Sequence, residues 1–287
     1  MGTRYRVGLL VVAGIALALA IVPLSAARQS NPPYLSVKAL LEKASQYVAG
    51  YQRDFAFLVA DEHVDQRTNR PAPGEASTRT TRGELFLTYL GAERRWIAVR
   101  DVAEVDGRPV TDREDLAALL RRSSIAAIAP RIIIHNARHN LGNVVRNFNE
   151  PTIALLVLAT PHVSQFRFNM GPIERHGPGL TLVTLTFREF EEPALVRSMT
   201  GGPAFATGEV TIEAETGRVR HTRLVVKDGS TAADLTTTFE ANDAVGLWVP
   251  TWFDERYTAR RDNREELITS KARYTNYRRF EVEGTIR

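Results

Sequence analysis

"GEVTIEAETGRVRHTRLVVKDG", Gly208 to Gly229, decides the fold class. Val210, Ile212 and Ala214 alternate with Thr211, Glu213 and Glu215. A period of two puts the apolar side chains on one face of a strand and the polar ones on the other. "ETGR" (Glu215–Arg218) supplies a tight turn, and strand composition resumes beyond it, so the stretch predicts an antiparallel hairpin with one wet face.

The same grammar extends in both directions. In "LTLVTLTFREF", Val183, Leu185 and Phe187 oppose Thr184, Thr186 and Arg188. "VSQFRFNM", "AADLTTTFEA" and "SKARYTNYRRFEVEG" continue the pattern toward both sides of the hairpin. Nearer the N-terminus, "FAFLVADEHV", "RGELFLTYL" and "RRWIAVRDVAEV" are rich in β-branched and aromatic residues, and a polar Pro/Gly loop separates the first two. Helices are few. Ser36 precedes Leu40, Leu41, Ala44, Tyr47, Val48 and Tyr51 at helical spacing, and Asp112 is expected to cap a second helix carrying Leu116, Leu119 and Leu120. "TIALLVLA" (Thr152–Ala159) is apolar on every side, which predicts a buried helix. The expected architecture is α+β and mainly β: a large curved antiparallel sheet, a half-barrel, packed on several helices. It runs as a single domain over 28–287 with a helical insertion at about 112–160, whose middle helices fill the concave side.

The first residues read as an export signal. Arg4 and Arg6 precede the apolar run Val7–Leu24, and Ser25–Ala27 place small residues before a cleavage point, so residues 1–27 are expected to be a signal peptide. The run is also near the length that spans a bilayer, which leaves an uncleaved anchor as the competing reading. The protein is therefore expected in the periplasm or secreted. Cysteine is absent, so the chain has no disulfides. The net charge of +4 is spread over interspersed arginines and carboxylates, without a block of like charge, and gives no reason to expect a nucleic-acid partner.

Candidate chemistry is sparse. His135 and His139 in "HNARH" stand four apart, a spacing that offers two zinc ligands from one helix face. Asn136 stands where the HExxH zinc signature has its glutamate, and Arg131, Arg138 and Arg146 oppose a dication, so no metal is expected there. Asp61, His63 and Asp65 share one face of a strand, and read as its polar, solvated side. Neither a nucleophile elbow, a phosphate loop nor a dinucleotide fingerprint occurs in the chain. No catalytic residue and no cofactor is assigned. In "GLWVPTWFDERY", Trp248 and Trp252 fall on one face if the stretch is extended, with Pro250 marking an edge or bend.

The order of these elements, with "GEVTIEAETGRVRHTRL", "LWVP" and the closing "ARYTNYRRFEV", resembles uncharacterised secreted bacterial proteins and, more distantly, the outer-membrane lipoprotein-sorting carriers (LolA/LolB-like). The resemblance implies a half-open antiparallel barrel with helices in its mouth and an apolar cavity for acyl chains. On that basis the expected function is a non-enzymatic binding protein holding a lipid or lipoprotein acyl chain against Val183, Leu185, Phe187, Trp248 and Trp252. Leu155, Leu156 and Leu158 filling the same space is the alternative, and it leaves a solid core. A protein-interaction module of the cell envelope is the second class, and a metal-dependent hydrolase the third. Membrane association after signal cleavage is expected to be peripheral at most.

Overall fold

The computed structural model describes residues 35–280, apart from residues 56, 72, 75, 145, 147–148, 199–200 and 262–263. The expected export signal lies outside the described residues.

Eleven strands form one sheet in the order β4-β3-β2-β1-β11-β10-β9-β8-β7-β6-β5, and every pairing is antiparallel. The strands are β1 (Leu58–Thr68), β2 (Thr78–Leu90), β3 (Arg95–Val105), β4 (Arg108–Pro109), β5 (Phe166–Arg175), β6 (Thr181–Glu189), β7 (Ala206–Glu213), β8 (Val219–Asp228), β9 (Thr231–Asn242), β10 (Leu247–Arg261) and β11 (Arg264–Arg279). The two end strands, β4 and β5, do not meet, so this is an unclosed, curved sheet: the half-barrel that the alternation predicted. Two meanders build it. The first runs from β1 out to one edge at β4; the second starts at the opposite edge with β5 and returns until β11 lies beside β1.

The connection from β4 to β5 must therefore travel from one edge of the sheet to the other. It contains α2 (Leu116–Leu120), α3 (Ile125–Ala137), a strap whose described residues (138–144, 146 and 149–152) lie outside regular helix or strand, and a 3₁₀ segment, Ile153–Leu158. The insertion does not sit on one side. Leu116, Leu120, Ile125, Ile128, Ala129 and Ile132 of α2 and α3 pack on Val59, Phe86, Ile97 and Val99, which form the outer face of the first strands. The 3₁₀ segment joins the main core on the inner face, with helix α1 (Val37–Asp54) beside it. Of the expected middle helices, only this 3₁₀ turn fills the concavity.

Local rules place α1. The Ser36 side chain accepts from the Ala39 amide at 3.2 Å, and Leu40, Ala44, Val48 and Tyr51 form the buried stripe. Lys43 Nζ donates to the Ala214 carbonyl at 2.8 Å, tying α1 to the Glu215–Arg218 turn. The second cap differs from expectation. Asp115, not Asp112, accepts from the Ala118 amide at 2.9 Å, and α2 is only five residues long. Asp112 instead pairs with Arg138, an interaction across 26 residues that local spacing does not encode.

Gly217 seals the contact under α1. Its φ is +72°, and a Cβ there would lie 2.4 Å from the Lys43 carbonyl carbon, against backbone that cannot step aside. Gly229 also has positive φ (+57°) but faces open space. Gly229→Ala should cost only the left-handed penalty, about 1–2 kcal/mol. Gly217→Ala should cost clearly more, because α1 must also shift. Urea unfolding of the two variants, with equal losses as the contrary result, checks this packing.

Candidate functional site

The inner face divides into an apolar region and a polar one. Leu58 and Ala60 of β1, Val183, Leu185 and Phe187 of β6, Leu224 of β8, Leu235 of β9, and Phe253 of β10 belong to one buried cluster with the 3₁₀ segment. All six residues from Ile153 to Leu158 are buried. Between the β1–β3 and β10–β11 strands the alternation instead places polar groups inward: Glu62 and Gln66 from β1, Arg100 from β3, Glu255 from β10, Glu266 and Ser270 from β11.

These groups hold the strap. Gln66 works in both directions, donating Nε2 to the His139 carbonyl at 3.1 Å while its Oε1 accepts from the Leu141 amide at 3.0 Å. The Asn143 amide donates to Glu266 Oε1 at 3.0 Å. Arg100 donates Nε to Glu62 Oε1 at 2.9 Å and Nη2 to the Asn149 carbonyl at 3.2 Å. Thr237 Oγ1 donates to the Pro151 carbonyl at 2.7 Å. Gly142, at φ +79°, lies so close to β11 that a Cβ would fall 2.3 Å from Ile268 Cδ1. The strap itself returns one cation. Arg146 donates Nη2 to the Leu141 carbonyl at 3.0 Å, approaches Glu255 at 3.5 Å, and stacks over Tyr257 at 5.3 Å. Both side chains of the Arg146–Glu255 pair are almost fully buried.

A cavity of about 80 Å³ remains beneath the strap, and Arg100, Arg146, Glu150, Glu255, Gln66 and Asn136 contribute to its wall. Burial pushes the Glu150 carboxyl up to about 7, with its own backbone hydrogen bond, Arg100 and Arg95 pulling the other way and Glu255 adding to the rise. Burial also raises Glu255, against Arg146 and Arg100. For Arg100, burial opposes the charge, and Glu62 together with Tyr274 and Glu255 more than offsets it. These groups clamp a crossing chain, and not every polar atom in the clamp is satisfied: Arg146 Nε, Glu255 Oε2, Tyr257 OH and Tyr274 OH are buried without a hydrogen-bond partner.

The five apolar residues singled out from sequence are not gathered at one place. Val183, Leu185 and Phe187 lie side by side in the core, under the same cluster as Leu155, Leu156 and Leu158. The two tryptophans part. Pro250 pairs with Phe239 and Trp252 with Thr238, so Thr251 is an extra residue, and a bulge of one residue inverts the face. Trp248 is half-buried beneath Arg218 and Arg220, at 4.9 and 4.1 Å from its ring centre, whereas Trp252 is 44% exposed beside Arg273. His135 and His139 are separated by the end of α3 at Ala137, which leaves His139 in the following turn. Among the described residues no group of three or more His, Asp or Glu is arranged to hold a metal ion. Asp61 is held by Asn276 and Arg278, and Asp65 by Thr80.

No protein-family model and no curated protein matches the chain. Solved structures similar to it include a putative outer membrane lipoprotein-sorting protein domain from Vibrio parahaemolyticus, 14% identical, covering 83% of this chain and 91% of that one at a TM-score of 0.36. A DUF1329 family protein from Desulfovibrio piger is 11% identical, covering 87% and 95% at a TM-score of 0.39. A MucA/MucB complex from Pseudomonas aeruginosa is 11% identical over 81% and 94%, at a TM-score of 0.20.

Two measurements test the clamp. Arg146→Met strands the buried Glu255 carboxylate and should cost about 3–5 kcal/mol, while Arg146→Met with Glu255→Leu should recover most of that loss. Equal losses in the single and double variants would show that the pair has no such role. For Glu150, the unfolded chain titrates near 4.5 and the folded chain near 7. Between those values the folded state binds the extra proton, so stability falls as pH rises through that window and levels off above it. Glu150→Gln should be more stable than wild type above about pH 8, and the gap should close toward about pH 4. A constant gap at every pH contradicts the assignment.

Proposed function

We propose that the protein is a non-enzymatic binding protein of the cell envelope, periplasmic or secreted, that holds one apolar ligand in the concavity of its sheet. A lipid or a lipoprotein acyl chain is the class that fits. One observation shapes the reading: the apolar centre of the concave face is occupied by six consecutive apolar residues, Ile153–Leu158, in a 3₁₀ turn, the filled state that stood as the alternative, so the reading requires this segment to move aside. Such turns have poorer hydrogen-bond geometry than α-helices. At its ends the segment is tied by Ile153 N to the Glu150 carbonyl at 3.1 Å, Leu155 N to the Thr152 carbonyl at 3.0 Å and Ala159 N to the Leu156 carbonyl at 3.0 Å. What keeps the segment in place is apolar contact, and a hydrocarbon chain supplies the same contact at about 0.8 kcal/mol per buried CH₂. On this reading the segment is a resident guest that a ligand displaces, and Val183, Leu185 and Phe187 are the wall it uncovers. Trp248 stands at the margin of the same cluster.

A second reading, an envelope protein-interaction module, is favoured by Phe190. It is 37% exposed, stacks with Arg167 of β5, and lies beside the open β5 edge.

The two readings separate on one variant. Leu156→Ser weakens the guest without touching the wall, so more of the protein stands ready for ligand. A fluorescent long-chain fatty acid should bind wild type, and should bind Leu156→Ser several-fold more tightly although that variant is less stable. Circular dichroism confirms that the variant is folded. An absence of binding in both proteins overturns the carrier reading and leaves the module.

A further inference from the structure

Helix α3 is apolar on more sides than its packing uses. Its inner side carries Ile125, Ile128, Ala129 and Ile132, spaced i, i+3, i+4 and i+7, and all four are buried against the outer face of the sheet. One turn further along that side, Asn136 donates Nδ2 to the Arg100 carbonyl at 2.8 Å, which fixes the rotation of the helix. The opposite side carries Ala127, Pro130, Ile133, Ile134 and Ala137, and every one is exposed. Ile133 is 39% exposed and Ile134 76%, the highest among the exposed large apolar side chains of the described residues. A helix apolar all round is ordinarily covered all round, and this one is covered on one side.

Charge says what covers the other. Arg131 and Arg138 share a stripe with Ile134, three residues before it and four after. Their ion pairs, with Glu114 at 2.8 Å and with Asp112 at 2.7 Å, neutralise the acidic groups next to the helix. Arg121 and Arg122, in the turn that leads into α3, are exposed and pair with no acidic side chain among the described residues. The unpaired charge at this face is therefore positive. It borders a convex helix, and the cavity that Ile133 and Ala137 help line, about 80 Å³, is too small to seat a peptide. Exposed isoleucines flanked by arginines, whose stems cover apolar surface while their heads stay in water, match the boundary between headgroups and acyl chains.

We propose that α3 is a peripheral docking helix through which the folded protein settles on an anionic lipid surface. Ile133 and Ile134 enter the acyl boundary, and Arg121 and Arg122 lie against headgroup phosphates. Attachment is weak and reversible, since each basic residue near an anionic surface strengthens binding only about fivefold and two isoleucines are a small apolar payload. The site uses none of the residues of the 3₁₀ segment, although Ile133 and Ala137 also border the cavity beneath the strap.

The absence of cysteine allows a single reporter to be placed cleanly. Full-length Ala127→Cys carries an environment-sensitive fluorophore on the exposed side of α3, and Asp228→Cys carries the same label on β8 as a control. Each is mixed with vesicles of phosphatidylcholine alone or of phosphatidylcholine with phosphatidylglycerol, with brominated acyl chains as quencher. The Ala127→Cys label should shift to the blue and be quenched on the anionic vesicles only, while the Asp228→Cys label does neither. Adding Ile133→Ser with Ile134→Ser, or Arg121→Glu with Arg122→Glu, should lower the apparent partition coefficient by about tenfold or more, and salt should lower it in the unmodified protein. An unmoved Ala127→Cys label overturns the proposal even if the protein sediments with vesicles, because another segment then makes the contact. Equal quenching on neutral vesicles, or unchanged binding by both double variants, also overturns it. So does a label that responds to lipid-free envelope proteins and not to vesicles, which assigns the face to a protein partner.

Discussion

One segment of chain has to cross the whole inner face of the sheet, and most of the structure answers to that constraint. The first meander ends at one edge and the second begins at the other, so the chain between β4 and β5 must pass from edge to edge. It starts on the outer face with α2 and α3, then crosses the concavity. A segment without a partner strand must find other partners for its amides and carbonyls, because an unpaired buried backbone group costs as much as a lost hydrogen bond. Gln66, Arg100, Glu266 and Thr237 supply them from the sheet, and Arg146 supplies one from the strap itself.

That requirement explains why charged residues stand inside a half-barrel. Glu62 and Glu255 do not stabilise the fold as ion pairs in their own right, since desolvation consumes most of the Coulomb gain. They hold Arg100 and Arg146 in place, so that the guanidiniums can reach the carbonyls of Asn149 and Leu141. Where polar partners end, the chain turns apolar, and Ile153–Leu158 replaces directional bonds with burial. The polar clamp and the apolar 3₁₀ segment are thus adjacent halves of one crossing.

The sequence made the sheet legible because strand alternation is local and periodic. The Glu215–Arg218 turn, the Ser36 cap and the burial of Thr152–Ala159 each depend on a few neighbouring residues, and each is where local rules put it. What was not legible depends on distant partners. Gln66 meets residues 73 and 75 positions away, so nothing near it marks it as a strap anchor. Asp112 is drawn from capping by Arg138, leaving the cap to Asp115. A single extra residue at Thr251 separates Trp248 from Trp252, and a bulge has no periodic signature to read. Inward-facing Glu62, Arg100 and Glu255 broke the apolar alternation of their strands, and that departure was the signal that could have found the clamp.

Hydrogen exchange across residues 152–159, measured with and without a bound long-chain fatty acid, tests the central claim most directly. If the 3₁₀ segment is a guest that the ligand displaces, its amides should exchange faster in the loaded protein while those of β6 stay protected. Unchanged or deeper protection of the segment with ligand bound would show that Ile153–Leu158 is permanent core, and the account of the concavity as a binding site would fail.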